Sequence, residues 1–123
     1  LLLNKPVDLE VTLHARPRLH APPRVFQVVV SNLLRNACSY TDRGRIDVIL
    51  EPDRVIVRDT GIGMSAESMV RVFEPFYRAD PSRPQGSGLG LSIVSRLCDR
   101  VGWKVELDSE LGRGTTATIR FVP

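Results

Sequence analysis

Two runs of helical period, each followed by two strand-like segments around a tight turn, confine this chain to a layered α/β fold. In the first run, Val25, Val28, Val29, Leu33 and Ala37 recur at the spacing that gathers side chains on one helix face. Pro23 suits its first turn, where no intrahelical hydrogen bond is lost, and the pattern ends near Tyr40. In the second run, Leu89, Ile93, Val94, Leu97 and Val101 are expected to face inward, and Gly102 to form the C-terminal cap. Strands are expected at 45–51 and 54–59 around Pro52-Asp53, and at 103–107 and 115–121 around Gly112-Arg113-Gly114. Residues 7–16 alternate in part, with Val11, Leu13 and Ala15 on one face of a further strand. A short extended piece is expected at 18–20. Ser65 caps a short helix at 66–72, and 75–87 reads as a loop rich in Pro, Gly and charge. The order predicts a two-layer α/β (α+β) sandwich. Its sheet is mixed and mostly antiparallel, with about five strands and about three helices on one face.

A chain of 123 residues fits one domain, read here as residues 1–123, with 1–6 as the remnant of an upstream linker. Apolar residues at 42% and charged residues at 25% are globular values. Lys and Arg number 17 against 14 Asp and Glu, and the resulting charge of +3 is scattered. That argues against nucleic acid as a partner and is compatible with a polyphosphate ligand. No apolar run reaches the ~18 residues of a membrane span, so no membrane contact by this domain is expected. Cys38 and Cys98 sit in apolar helical patterns without metal-type spacing and read as buried free thiols. His14 and His20 likewise lack metal spacing and read as structural.

Chemistry concentrates elsewhere. Asn32 and Asn36, four apart, share one face of the first helix beside apolar Leu33, Leu34 and Ala37. They are either surface amides or oxygen donors for a hard cation such as Mg²⁺. Asp59-Thr60-Gly61-Ile62-Gly63 follows a strand. It is either a strand-to-helix turn or a carboxylate that accepts from an exocyclic amine, with glycines letting the backbone approach a flat base. Gly86-Ser87-Gly88-Leu89-Gly90-Leu91 opens the second long helix, so it is either a hinge or an anion cradle of backbone N–H groups. It fits neither the P-loop nor the dinucleotide fingerprint. Phe73-Glu74-Pro75-Phe76-Tyr77-Arg78 places three aromatics at a loop base, read as hydrophobic anchors, with an Arg able to reach a phosphate. A hairpin turn accounts for Gly112-Arg113-Gly114-Thr115.

In this order the segments resemble the catalytic ATP-binding domain of sensor histidine kinases, of the superfamily shared with gyrase, MutL and the large heat-shock chaperones, with the Bergerat-type fold. The resemblance runs from about Val25 to Phe121. Asn32 to Ala37 with Tyr40 matches the N box, and Asp59 to Gly63 the G1 box. Phe73 to Arg78 matches the F box, Gly86 to Leu91 the G2 box, and Gly112 to Thr115 the last glycine box.

The resemblance implies ATP and Mg²⁺ as cofactors, and transfer of the γ-phosphoryl group to a histidine. Asn36 would ligate Mg²⁺, with Asn32 supporting it and Arg78 orienting the γ-phosphate. Asp59 would read the adenine amine, Tyr40 would lie against base or ribose, and Gly61, Gly63 and Met64 would line the adenine pocket. Gly86, Ser87, Gly88, Leu89, Gly90 and Leu91 would wrap the phosphates under a lid at 75–87, with Thr115 and Ser39 also contacting the nucleotide. Ser39 stands where the family often carries Lys or Arg, and Ala21-Pro22-Pro23 replaces the commoner Asp-Pro. Asn32 stands where the hydrolases carry a water-activating Glu, which favours a kinase. The implied partners are a dimerisation and phosphoacceptor domain that this chain lacks and, through the full-length kinase, a response regulator. The implied location is cytoplasmic, attached to an inner-membrane sensor. The alternatives are an ATPase of the gyrase or MutL type, a serine kinase of the anti-sigma type, and a degenerate nucleotide-binding or interaction module.

Overall fold

The computed structural model describes residues 5–80, 82 and 88–121. Eight elements run β1 (Val7–Leu13), α1 (Pro23–Tyr40), β2 (Gly44–Glu51), β3 (Arg54–Asp59), α2 (Ala66–Arg71), α3 (Gly90–Val101), β4 (Lys104–Glu110) and β5 (Gly114–Arg120). The strands form one open sheet of order β1-β2-β3-β5-β4. β1 and β2 pair in parallel and all other neighbours antiparallel, giving the mixed sheet that the element order predicts.

Register puts the apolar set on one face. Val48 pairs with Val57 and Val57 with Ala117, while Leu50 pairs with Val55 and Val55 with Ile119. Alternate positions such as Arg45, Arg58, Glu106 and Asp108 are exposed. Val29, Leu33 and Ala37 of α1 and Leu91, Val94 and Cys98 of α3 close over the apolar face. Val29, Ile46, Val94 and Ile119 are 0% exposed, and burying each such side chain contributes about 1.5–3 kcal/mol. Trp103 meets Phe121 edge-on at 5.1 Å, and Phe26 lies 6.1 Å from the same ring.

The helices start and stop for the expected local reasons. α1 begins on Pro23, the Ser65 hydroxyl accepts the Ser68 N–H at the start of α2, and Gly102 ends α3 at φ 79°.

The differences from expectation are instructive. β1 ends at Leu13 and does not reach Arg16, so Ala15 lies beyond the strand. Residues 18–20 join no strand; they lie between Pro17 and the Pro22-Pro23 pair, none of which can donate to a ladder. Leu9, Val11 and Leu13 share the helix-side face with their β2 partners yet are 46%, 58% and 62% exposed. β1 is one edge of the sheet, while α1 packs over β3 and α3 over β4 at the other edge. Ile93 is exposed and not inward, since Leu91, Val94 and Cys98 set the buried stripe.

Candidate functional site

The buried stripe of α1 leaves a second, polar stripe on the same helix. Asn32, Arg35, Asn36, Ser39 and Tyr40 follow one another at helical spacing and line one wall of a cleft. Gly90 and Leu91 at the start of α3, and Gly88 just before it, also line the cleft, as do Val72, Tyr77, Arg78 and Ala79. Asn32 is oriented by its own helix, because its Nδ2 donates to the Val28 carbonyl at 2.8 Å. Its Oδ1 then faces Gly90 so closely that a Cβ there would stand 3.2 Å away. Among the described residues no side-chain cap hydrogen bond forms at the N-terminus of α3, and a helix N-terminus presents N–H groups and a positive dipole end that suit an anion. The lining includes two cations, Arg35 and Arg78, and no carboxylate among the described residues.

The loop at the cleft's mouth is pinned at both ends. The Phe76 N–H donates to the Gly88 carbonyl at 2.8 Å. Phe76 takes φ 67°, a left-handed conformation that is costly for a bulky residue. Gly88 sits against it so tightly that a Cβ would come within 2.7 Å of the Phe76 backbone. On the α2 side, the Tyr77 hydroxyl hydrogen-bonds Ser68 at 3.0 Å, and the Arg71 guanidinium lies 4.8 Å above the Tyr77 ring. Two of the three aromatics expected to anchor this loop do so, Phe73 and Tyr77. Phe76 does not: it is 71% exposed.

The remaining expected residues form a second cluster. Asp59, at the end of β3, is 5% exposed. Its Oδ1 accepts the backbone N–H of Gly61 at 2.9 Å and of Thr115 at 3.2 Å. Burial pushes this carboxylate above its ordinary pKa, and the two N–H donors pull it back. The buried Thr41 hydroxyl also favours the charge, but it completes no hydrogen bond, so its effect is that of a near contact. Both formed bonds fall on Oδ1, which leaves Oδ2 as an acceptor for a ligand donor.

Met64 is buried beside this group, and its N–H donates to Ser109 Oγ at 2.8 Å; Ser109 Oγ lies 2.7 Å from Thr115 Oγ1. Gly63 (φ 72°) presses on the Glu110 carbonyl, and Gly61 on that of Tyr40. Tyr40 joins the two clusters, since its side chain lines the cleft while its carbonyl accepts the Ile62 N–H at 3.0 Å.

Thus Asn32, Asn36, Ser39, Tyr40, Arg78, Gly88, Gly90 and Leu91 come together in the cleft, and Asp59, Gly61, Gly63, Met64 and Thr115 in the adjoining cluster. Leu89 caps α3 without lining the cleft, its carbonyl accepting from Ser92 Oγ. Gly86 and Ser87 lie outside the described residues, as does most of the expected lid beyond Asp80. Sequence reasoning missed Arg35, Thr41 and Ser109. Arg35 was signalled by the spacing of the polar stripe itself. Thr41 and Ser109 carry no local signal, because their neighbours come from distant strands.

Residues 21–123 match the family of histidine kinase-, DNA gyrase B- and HSP90-like ATPases. The chain is 38% identical over 117 residues to the sensor protein QseC of Escherichia coli K12, covering 94% of this chain and 26% of that protein. It is 38% identical over 110 residues to the sensor histidine kinase RcsC of the same organism, covering 84% of this chain and 12% of that protein. It therefore spans about a quarter or less of these relatives. The solved structure of full-length ShkA in complex with AMPPNP superposes with a TM-score of 0.81 at 28% identity, covering 94% of this chain and 25% of that one.

Proposed function

Since this chain belongs to the family of histidine kinase-, DNA gyrase B- and HSP90-like ATPases, we propose that its cleft binds Mg²⁺–ATP for phosphoryl transfer to a histidine carried by another domain. One observation carries the reading. A buried carboxylate with a spare oxygen stands at one end of the site, and a carboxylate-free, cationic cleft over a helix N-terminus stands at the other. The first suits an exocyclic amine, the second a polyphosphate. Relatives named as sensor histidine kinases and a like fold holding AMPPNP support the choice.

The residues fit Mg²⁺. The described residues hold no group of three or more His, Cys, Asp or Glu that could cage a metal. Mg²⁺ is commonly held by a few hard oxygens plus substrate phosphates, and the amide oxygens of Asn36 and Asn32 are such donors beside the anion-accepting end. When bound, the ion neutralises charge on the phosphates. The chain's own residues supply position. Asp59 and Tyr40 fix the base, and the start of α3 and Arg78 hold the phosphates for an attacking nucleophile. Asn32 cannot take a proton from water, so hydrolysis has no general base at that position.

The nucleophile in this reading is an imidazole nitrogen of a dimerisation and phosphoacceptor domain, from which a response regulator is later served. The setting is the cytoplasmic side of a membrane sensor. Among the described residues no helix is long and apolar enough to cross a membrane. His14 lies 3.7 Å from Glu51 at the far edge of the sheet, outside the cleft.

Incubation with labelled ATP, alone and with a separate phosphoacceptor domain, tests the reading. Label is expected on that domain's histidine and not on His14 or His20. Rapid ATP turnover by the chain alone would instead identify a hydrolase.

A further inference from the structure

The cation that faces the phosphates from α1 is identifiable. We infer that Arg35 is a nucleotide-specificity residue, contacting the phosphate chain and not the base; the inference rests on the nucleotide reading above. Arg35 stands one turn before Ser39 on the polar stripe and lines the cleft. Ser39 is small, uncharged and 8% exposed, so it leaves the adjoining turn of the wall without a cation of its own.

No Asp or Glu occurs anywhere in α1, and Arg35 forms no ion pair among the described residues. Some other surface arginines are engaged: Arg45 with Glu10 and Asp47, Arg54 with Glu51, Arg71 with Glu74, and Arg120 with Glu106; Arg96 and Arg100 are as unpaired as Arg35 among the described residues, but they do not line the cleft. Arg35 thus keeps its guanidinium donors for a ligand. A guanidinium fork matches two phosphate oxygens in a way an ammonium does not. Arg78, Gly90 and Leu91 line the same cleft, so both cations and the start of α3 border one space. Asp59 and its glycines belong to the adjoining cluster and not to the cleft lining. Loss of Arg35 therefore separates phosphate recognition from base recognition.

Calorimetric titration of the chain with Mg²⁺–AMPPNP, Mg²⁺–ADP and adenosine is the test. Arg35→Gln is expected to weaken AMPPNP by about tenfold or more, the worth of a hydrogen bond to a charged group. ADP should weaken less and adenosine not at all. Arg35→Lys, which keeps the charge but loses the fork, should fall between the parent and Arg35→Gln. Arg96→Gln, an exposed cation on α3 outside the cleft, should change nothing. Equal AMPPNP binding by Arg35→Gln and the parent would overturn the inference. So would parallel loss of AMPPNP and adenosine, or a Lys variant as weak as the Gln variant. A parent chain that binds no AMPPNP would instead overturn the nucleotide reading itself.

Discussion

The Asp59 carboxylate accepts the backbone N–H of Thr115 at 3.2 Å, so the end of β3 is tied to the start of β5 by the group proposed for base recognition. The tie has a cost. The fold holds Asp59 at a raised pKa, chiefly by burial, so it favours the protonated form. For an acid shifted this way, the stability contribution is full below the unfolded-state pKa and is lost as pH rises through the folded-state value. At neutral pH the ionised group is therefore a burden on the empty protein.

Asp59→Asn keeps an oxygen for both N–H donors and removes the charge. Without nucleotide, its thermal midpoint is expected to equal or exceed the parent's at pH 7, the advantage shrinking as pH falls toward 4. Nucleotide affinity should drop at least about tenfold, the range for losing a charge-assisted hydrogen bond. Thermal melts across that pH range with nucleotide titration check both halves. A marked loss of stability at pH 7 would show that the charge itself holds the strands.

Gly61 and Gly112 separate contact from conformation. A Cβ on Gly61 would stand 2.1 Å from the Tyr40 carbonyl and 2.8 Å from Thr41 Oγ1, where backbone must move. Gly112 has φ 83° and nothing within 4 Å. Gly112→Ala is expected to cost about 1–2 kcal/mol from the left-handed backbone alone. Gly61→Ala should cost about 1–3 kcal/mol by overpacking and also impair nucleotide binding, because the Tyr40 to Ile62 link joins the two clusters. Denaturant unfolding with nucleotide titration distinguishes them; Gly61→Ala with intact binding would contradict the linking role.

Much of the fold was legible because its signals are local. The stripes of α1 and α3, the Ser65 cap, the Gly102 cap and the Pro52-Asp53 turn each sit within a few residues. The end of β1 was not legible, since strand length depends on partners, and β2 offers Leu13 its last rung. Ile93 was misplaced because both edges of an amphipathic stripe look alike until a neighbour covers one. In the site, Asn32, Asn36 and Asp59 announced themselves by unusual company. Arg35 did not, because an arginine on a helix is ordinary until the opposite wall of a cleft is seen.

Lys5 supplies the C-terminal charge that α1 lacks. The last turn of α1 has no basic residue, and its C-cap Thr41 is extended, without a left-handed glycine. The Lys5 ammonium fills the gap from before β1, donating to the Cys38 carbonyl at 2.8 Å and that of Thr41 at 3.3 Å, with Asp42 3.7 Å away. Those carbonyls bracket Ser39 and Tyr40. Lys5→Met is expected to cost about 1–2 kcal/mol and to speed amide exchange in the last turn of α1, leaving α3 protected. Uniform acceleration across both helices would argue against a local clamp.

The two thiols test how well the core is sealed. Cys98 is 1% exposed, and burial, with a smaller push from Asp99, raises its pKa from 9.0 to about 11. Cys38 is 2% exposed; burial raises it too, while the Lys5 ammonium pulls the other way. Thiolates are the reactive species, so both cysteines should resist iodoacetamide at pH 8 in the folded chain and react once it unfolds. The same shift gives a sign in alkali: stability from Cys98 is full below pH 9 and is lost as pH rises toward 11. Cys98→Val, close in volume and without a proton to lose, should flatten the alkaline fall in thermal midpoint. Mass spectrometry of the alkylated chain reads the first expectation, and melts between pH 8 and 11 read the second. Rapid modification of the native protein at pH 8 would show that α1 and α3 part far more readily than their packing implies.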